Sequence, residues 1–139
     1  MLMSSSEVLR FPGTRSGFEG AAATLRGLLD IRRLDGALRY KVELAFEEIV
    51  TNIIRHGSPT ENVEVAVAFD EREIVLTFED DGVPFDPCDQ PVPTPPGSLD
   101  DAVVGGLGLV LVSKIAARMT YARTPQRRNH LTLAIPTVG

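Results

Sequence analysis

Apolar and polar residues follow two regular periods along this chain, and each period predicts one type of secondary structure. Alternation with a period of two, bounded by turn residues, predicts β-strands at residues 6–11, 63–69, 74–78, 119–123 and 131–135. Apolar residues at helical spacing predict α-helices at residues 17–34, 37–56 and 107–117. The order β-α-α-β-β-α-β-β predicts an α+β fold, a two-layer sandwich in which helices cover one face of a mixed, mainly antiparallel sheet.

A long segment without either period separates the third strand from the third helix. Six of the ten prolines lie in this segment or at its start: Pro84, Pro87, Pro91, Pro93, Pro95 and Pro96. A loop of about 20 residues is unusual in a compact chain unless it covers a functional site. We therefore expect residues 86–105 to form a lid.

Composition restricts the class of protein. The 139 residues fit one domain, residues 1–139, with its core at about residues 8–136. The 14 basic and 19 acidic residues give a net charge of −5, which argues against a binder of nucleic acid or of an acidic membrane. The single cysteine excludes an internal disulfide framework. The pattern contains neither a signal peptide nor a membrane span, so we expect a cytoplasmic location.

The second predicted helix carries a first group of candidate residues. Glu48 and Asn52 lie one turn apart at the edge of its apolar stripe, and Arg55 follows one turn later. A carboxylate beside a carboxamide at a helix edge can hold a hard cation or a polarised hydroxyl. The alternative is that these residues only form the polar boundary of an amphipathic helix.

Two further motifs flank the predicted lid. Asp80 and Gly82 follow an apolar strand, where a carboxylate can accept a hydrogen bond from an exocyclic amine and glycine lets a planar ring approach the backbone. The alternative for this segment is an ordinary acidic turn. Residues 105–109, Gly-Gly-Leu-Gly-Leu, precede a helix, and their free backbone N–H groups could cradle phosphates. This motif alone is weak, and it lacks the Lys-Ser/Thr ending of a P-loop.

The three motifs together, in this order, resemble those of the GHKL (Bergerat-fold) ATPases, which have a histidine-kinase-like ATPase domain. Glu48 and Asn52 look like the N box of that superfamily. The segment Asp80-x-Gly82-x-Pro84 is similar to the G1 box, with proline where many members have a second glycine. Residues 106–109, that is Gly106, Leu107, Gly108 and Leu109, are similar to the G2 box.

Within that superfamily the chain most resembles the bacterial anti-sigma factor serine kinases of partner-switching systems. Residues 45–52, Ala-Phe-Glu-Glu-Ile-Val-Thr-Asn, and residues 80–87, Asp-Asp-Gly-Val-Pro-Phe-Asp-Pro, carry this resemblance. It implies a protein-serine/threonine kinase that binds ATP and Mg²⁺. The implied partners are a STAS-domain antagonist, which is phosphorylated on serine, and a sigma factor or another output protein, which is sequestered. A homodimer is also implied.

The resemblance assigns roles to individual residues. Glu48 would be the catalytic base, Asn52 the Mg²⁺ ligand, and Asp80 the residue that recognises adenine. Arg55 would contact a phosphate. The remaining nucleotide-binding positions would be Gly82, Pro84, Gly106, Leu107, Gly108 and Leu109.

The predicted lid departs from the resemblance in one respect, and two alternatives to a kinase stay open. Residues 86–105 contain no Lys or Arg, although some relatives have a basic residue there near the terminal phosphate. One alternative is a nucleotide-dependent binding module with little or no kinase activity. The other is a GHKL ATP hydrolase of the gyrase type, in which Glu48 would activate water.

Overall fold

A computed structural model describes residues 5–89 and 106–138. The chain order of the elements agrees with the prediction: β1 (Ser5–Pro12), α1 (Arg15–Arg32), α2 (Gly36–Asn52), β2 (Asn62–Phe69), β3 (Glu73–Asp80), α3 (Gly106–Ile115), β4 (Arg118–Arg123) and β5 (Asn129–Pro136). Most bounds lie within about two residues of those predicted, as expected for element ends. The exception is the C-terminal end of the second helix.

The five strands form one sheet in the order β1-β2-β3-β5-β4. All four pairings among the described strands are antiparallel, which agrees with the mainly antiparallel sheet that the pattern predicts. Strands β3 and β5 are neighbours, although α3 and β4 lie between them in the sequence. Their register pairs Asp80 with Asn129, so the last residue of β3 lies beside the first residue of β5.

One face of the sheet forms the core with the helices. Every second residue of the three central strands is buried on this face: Val63, Val65, Val67 and Phe69 in β2, Ile74, Leu76, Phe78 and Asp80 in β3, and Asn129, Leu131, Leu133 and Ile135 in β5. Most of the alternating positions on the opposite face, such as Ala66, Val75 and Thr132, are only half-buried, although Ala134 in β5 is fully buried. The helices therefore lie on one face, as the two-layer prediction requires.

Side-chain caps fix the start of both long helices. The Thr14 hydroxyl accepts a hydrogen bond from the Gly17 N–H at 3.1 Å at the start of α1. The Asp35 carboxylate accepts one from the Leu38 N–H at 2.8 Å at the start of α2. Each cap satisfies one backbone donor that has no partner inside the helix. The two caps set where α1 and α2 begin against the sheet.

The second helix ends differently from the prediction. The pattern predicts an α-helix to residue 56, whereas α2 ends at Asn52 and continues as a π-helical turn, Ile53–Gly57. The physical reason lies at the end of that turn, where the Gly57 carbonyl accepts a hydrogen bond from the Val83 N–H at 2.9 Å. The wide turn therefore joins the end of the helix to the loop after β3, and π turns are frequent at functional sites.

A second link joins the same two segments. The Asp81 carboxylate accepts hydrogen bonds from the backbone N–H groups of Thr60, at 2.9 Å, and Glu61, at 3.1 Å. These bonds hold the start of β2 beside the end of β3. Among the described helices, none combines the length and hydropathy needed to cross a membrane.

Matched valine substitutions on the two sheet faces test this layer assignment. Val65 is fully buried between sheet and helices, so Val65→Ala should cost roughly 2 kcal/mol of unfolding free energy, since two buried carbons are lost and a cavity remains. Val75 lies on the open face, and Val75→Ala should cost less than about half of that. Urea unfolding measures both values. Equal losses for the two variants would contradict the assignment.

Candidate nucleotide site

A narrow slot opens where α2, the π-helical turn and the ends of β3 and β5 meet. Its walls are mainly apolar, and three polar side chains that the fold buries almost completely line it, Asn52, Asp80 and Asn129. The other lining residues are Ile49, Ile53, Gly57, Phe78, Val83, Phe85, Pro87, Tyr121 and Leu131. Apolar walls with a few fixed polar groups are typical of a site for a flat, partly polar ligand.

Asp80 is the charged group of the slot. Its side chain is only 2% exposed, and its Oδ1 atom accepts hydrogen bonds from the Gly82 N–H at 2.8 Å and from Asn129 Nδ2 at 3.1 Å. No residue in the described part of the chain donates to Oδ2. Burial raises the pKa of Asp80 above its ordinary value, and the two hydrogen bonds only partly oppose this effect. Asp80 therefore offers one unshared carboxylate oxygen in an apolar setting.

Asn129 orients Asp80, and the sequence did not single it out. Its amide nitrogen donates to Asp80 Oδ1 and also to the Val83 carbonyl at 2.9 Å. Its amide oxygen accepts a hydrogen bond from the Tyr121 hydroxyl. Both ends of the amide are thus occupied, which fixes its orientation. The signal that would have found Asn129 is the β3–β5 register, which cannot be counted until the strand order is known.

Gly82 lies where no side chain fits. A Cβ atom added there would overlap the Gly57 carbonyl and would lie 2.8 Å from Asp80 Oδ1. The Gly82 carbonyl accepts a hydrogen bond from Arg123 at 2.7 Å, so the loop after β3 is fixed to β4 as well as to the π-helical turn. The predicted need for glycine at position 82 therefore has a second cause, the close packing of the loop on Gly57.

Asn52 lines the α2 side of the slot, and Glu48 lies one turn earlier on the same helix. The Asn52 amide nitrogen donates to the Glu48 backbone carbonyl at 2.7 Å, which leaves the amide oxygen without a donor among the described residues. Since that oxygen is a ligand type that hard cations prefer, Asn52 can hold a divalent cation. The described residues contain no group of three or more His, Cys, Asp or Glu that could bind a metal by themselves. Such a cation would need further oxygen ligands, such as phosphate oxygens and water.

The Glu48 side chain, which projects from α2, is half-buried. Burial raises its pKa, the neighbouring Glu47 adds to this rise, and Arg55 opposes it. Arg55 itself is exposed and forms no ion pair within the described part of the chain. A carboxylate with a raised pKa beside an unpaired guanidinium suits proton transfer close to a bound anion.

The structure places some of the other predicted nucleotide-binding positions near the site and others away from it. Gly106 begins α3, and the Leu109 side chain is buried in the core, so only the backbone of Leu109 is open to a ligand. Pro84 is exposed and is not part of the slot lining. Residues 90–105 of the predicted lid lie outside the described residues. The side chain of Leu107 is also outside the described part.

The loop after β3, including the first residues of the predicted lid, packs over the slot. The Phe85 ring stacks on the His56 ring of the π-helical turn, with 5.5 Å between their centroids and 13° between their planes. The Cys88 thiol donates to the Met119 carbonyl at 3.4 Å, and burial raises its pKa to about 11. Because a thiol with that pKa is protonated at neutral pH, Cys88 is not a nucleophile here.

Comparisons with known proteins show the family and the fold of the chain. The family model described as histidine kinase-like ATPase domain matches residues 12–135. The serine/threonine-protein kinase BtrW of Bordetella bronchiseptica is 34% identical over 108 residues, which cover 73% of this chain and 72% of BtrW.

Two solved structures have the same fold. The SiaB–SiaC complex from Pseudomonas aeruginosa contains a chain that matches with a TM-score of 0.70 and 19% identity, over 93% of this chain and 88% of that chain. The RsbU and RsbW domains of a Mycobacterium tuberculosis protein match with a TM-score of 0.67 and 16% identity, over 94% of this chain and 32% of that chain. The predicted fold class is confirmed.

The raised pKa of Asp80 predicts how stability depends on pH. The folded state binds the Asp80 proton more tightly than the unfolded state. The contribution of Asp80 to the unfolding free energy therefore falls as pH rises from the ordinary aspartate pKa through the raised one. At pH 7 the ionised Asp80 therefore lowers the unfolding free energy. In Asp80→Asn the amide oxygen can still accept from Gly82 and Asn129, so we expect equal or higher stability at pH 7 and a weaker gain on acidification, measured by urea unfolding.

Asp70 provides the matched control with the opposite sign. Its carboxylate accepts hydrogen bonds from the Glu73 and Arg72 N–H groups, which lower its pKa. Asp70 therefore raises the unfolding free energy above the ordinary aspartate pKa, and this contribution is lost as pH falls through the lowered pKa. Asp70→Asn should therefore be less stable than wild type at pH 7. A loss of stability in Asp80→Asn at pH 7 would contradict the account of Asp80.

Proposed function

Because the chain belongs to the family of histidine kinase-like ATPase domains, we propose that it is a serine/threonine-protein kinase that uses ATP to phosphorylate a serine of a STAS-domain antagonist protein. The observation that carries the proposal is the unshared Asp80 oxygen in an apolar slot whose α2 wall continues to Asn52 and Glu48. One end of this arrangement suits adenine, and the other suits phosphate and an acceptor hydroxyl. A kinase needs these two ends side by side.

The adenine ring is assigned to the slot. Asp80 Oδ2 accepts a hydrogen bond from the exocyclic amino group, and Asn129 keeps the carboxylate in the orientation that this contact needs. Ile49, Phe78 and Leu131 provide apolar surface for the ring faces. A buried acceptor without a donor rejects a ring that presents a carbonyl at the same position, because two acceptors would then face each other.

The phosphates are assigned to the α2 and α3 side. Asn52 would hold Mg²⁺ through its amide oxygen, and Arg55 contributes positive charge for the triphosphate. The Gly106–Gly108 segment at the start of α3 offers backbone N–H groups without helical acceptors. When bound, Mg²⁺ neutralises charge on the phosphate oxygens during transfer. No lysine or arginine is available from residues 86–105 for this purpose.

Glu48 is assigned as the general base. Its carboxylate takes the proton of the acceptor serine while the serine oxygen forms a bond to the γ-phosphorus. The bond between that phosphorus and the bridging oxygen breaks, and ADP leaves with the electron pair. The raised pKa of Glu48 brings its basicity closer to the working pH.

The assignment of partners rests on the relatives. The resemblance to anti-sigma factor kinases supports a STAS-domain substrate and a sigma factor or another output protein as the sequestered partner. The likeness to a chain solved in the SiaB–SiaC complex supports a protein partner. A homodimer completes the proposal, since β1 pairs on one edge only within the described sheet and could pair with a second copy. The cytoplasm is the proposed location because ATP is available there.

Two other functions remain candidates, each favoured by one observation. The absence of Lys and Arg from residues 86–105 favours a nucleotide-dependent binding module that does not transfer phosphate. The half-buried Glu48 carboxylate would equally suit activation of water by an ATP hydrolase. Incubation with labelled ATP and the STAS protein separates the three. Label on a serine supports the kinase, phosphate release without label supports the hydrolase, and nucleotide binding with neither supports the binding module.

Replacement of Glu48 tests the base assignment. Glu48→Gln keeps the shape of the side chain but removes its basicity, so the rate of phosphoryl transfer should fall by roughly 10²–10⁴-fold while ATP affinity changes little. Glu47→Gln is the matched control, since it removes the adjacent exposed carboxylate and should keep most of the activity. Single-turnover transfer to the STAS protein measures the rate, and calorimetry measures the affinity. Transfer that persists in Glu48→Gln refutes the assignment.

The nucleotide preference tests the role of Asp80. Wild type should bind ATP more tightly than GTP, whose ring has a carbonyl in place of the adenine amino group. Loss of a hydrogen bond to a charged group costs about 1.5–3 kcal/mol, so Asp80→Asn should bind ATP roughly 10- to 150-fold more weakly. The ratio of ATP to GTP affinity should fall in parallel. An unchanged ratio would place the adenine elsewhere.

A further inference from the structure

Gly108 lies against the carboxylate of Glu48. A Cβ atom added at Gly108 would overlap Oε2 and Cδ of Glu48 and would lie 3.1 Å from Oε1. The space that a side chain at Gly108 of α3 would occupy is therefore filled by the carboxylate of Glu48, the proposed base. In contrast, a Cβ atom at Gly20 or Gly27 of α1 meets nothing within 4 Å. The need for glycine at position 108 thus has a specific cause in the packing of one side chain.

The two helices that make this contact are fixed by the core. On α2, Ala45, Ile49 and Val50 are buried on both sides of Glu48 in the sequence. On α3, Leu109 and Val112 are buried directly after Gly108. Since both backbones are held by close-packed apolar residues, the helices cannot separate to make room for a methyl group. The group that can move is the flexible Glu48 side chain.

We propose that Gly108 is a positioning residue for Glu48: the missing side chain leaves the space in which the carboxylate lies, beside the first turn of α3. This proposal rests on the proposed kinase function and refines it. The glycine motif at the start of α3 is then shared by two ligands of different kinds, the nucleotide on one side and the carboxylate of the base on the other. A nucleotide that moves the first turn of α3 also moves the surface on which the base rests.

The location also suits a carboxylate. The Glu48 carboxylate lies near the N-terminal end of a ten-residue helix, where the dipole favours negative charge. A Glu48 side chain displaced by a methyl group would turn away from this helix end and towards solvent.

The variant Gly108→Ala tests the proposal, with Gly27→Ala as the control for a glycine-to-alanine change in a helix. We expect Gly108→Ala to transfer phosphate at least 10-fold more slowly than wild type. Gly27→Ala should leave the rate unchanged. An unaltered rate in Gly108→Ala would overturn the proposal.

The shorter acid in Glu48→Asp separates an effect on the base from an effect on the nucleotide. The aspartate carboxylate is drawn back by one methylene and does not reach the added methyl group. In the Glu48→Asp background, Gly108→Ala should therefore slow transfer by less than about 3-fold relative to Glu48→Asp alone. An equal loss in both backgrounds would mean that the methyl group acts on the nucleotide, and the proposal would be wrong.

Stability without nucleotide provides a readout that does not depend on kinase activity. If Gly108→Ala lowers the unfolding temperature or fails to fold, Glu48→Ala in the same chain should restore folding, because it vacates the space that the methyl group needs. A double variant as unstable as Gly108→Ala would contradict the proposal. This result is separate from the kinase proposal, which fails if wild type places no label on a serine of the STAS protein.

Discussion

The pairing of Asp80 with Asn129 at the ends of two adjacent strands is the constraint on which the site depends. An ionised carboxylate that is 2% exposed is costly unless it is hydrogen-bonded, and the amide of Asn129 provides one of its two bonds. The same amide holds the Val83 carbonyl and receives the Tyr121 hydroxyl. The β3–β5 register therefore positions the carboxylate, the loop after β3 and the slot wall together. A change of one residue in that register would place the Asn129 side chain on the face of the sheet opposite Asp80.

The end of α2 adds a second constraint, which links the slot to the proposed chemistry. The π-helical turn joins Gly57 to Val83, so Asn52 on the helix has a fixed distance from the loop that carries Gly82. Glu48 lies one turn before Asn52 and is held against Gly108. The acceptor for adenine lies on β3, and the ligand for a cation and the proposed base lie on α2, two elements that share one core. This arrangement explains how short motifs far apart in the sequence act as one site.

The sequence predicted the parts of this molecule that depend on local patterns. Periodicity located all eight main elements because alternation and helical spacing are properties of neighbouring residues. The motifs led to Glu48, Asn52, Asp80 and the glycines, because each has a recognisable residue type at a fixed spacing. Asn129 and Tyr121 were missed since their role arises from a strand pairing between distant segments. The π-helical turn was missed because the hydrogen bond that ends it comes from Val83, outside the helix.

The segment from Asn52 to Glu61 is held at both ends, first by the Asn52 amide on α2 and then by the Asp81 carboxylate on the Glu61 N–H. Its middle is fixed at Gly57 by the bond from Val83. These three contacts therefore restrict the number of residues between Asn52 and Glu61 more strictly than the number in the β4–β5 turn. During evolution, an inserted or deleted residue between Asn52 and Glu61 would break the connection between the helix and the slot. Related chains that keep the site should vary in length elsewhere.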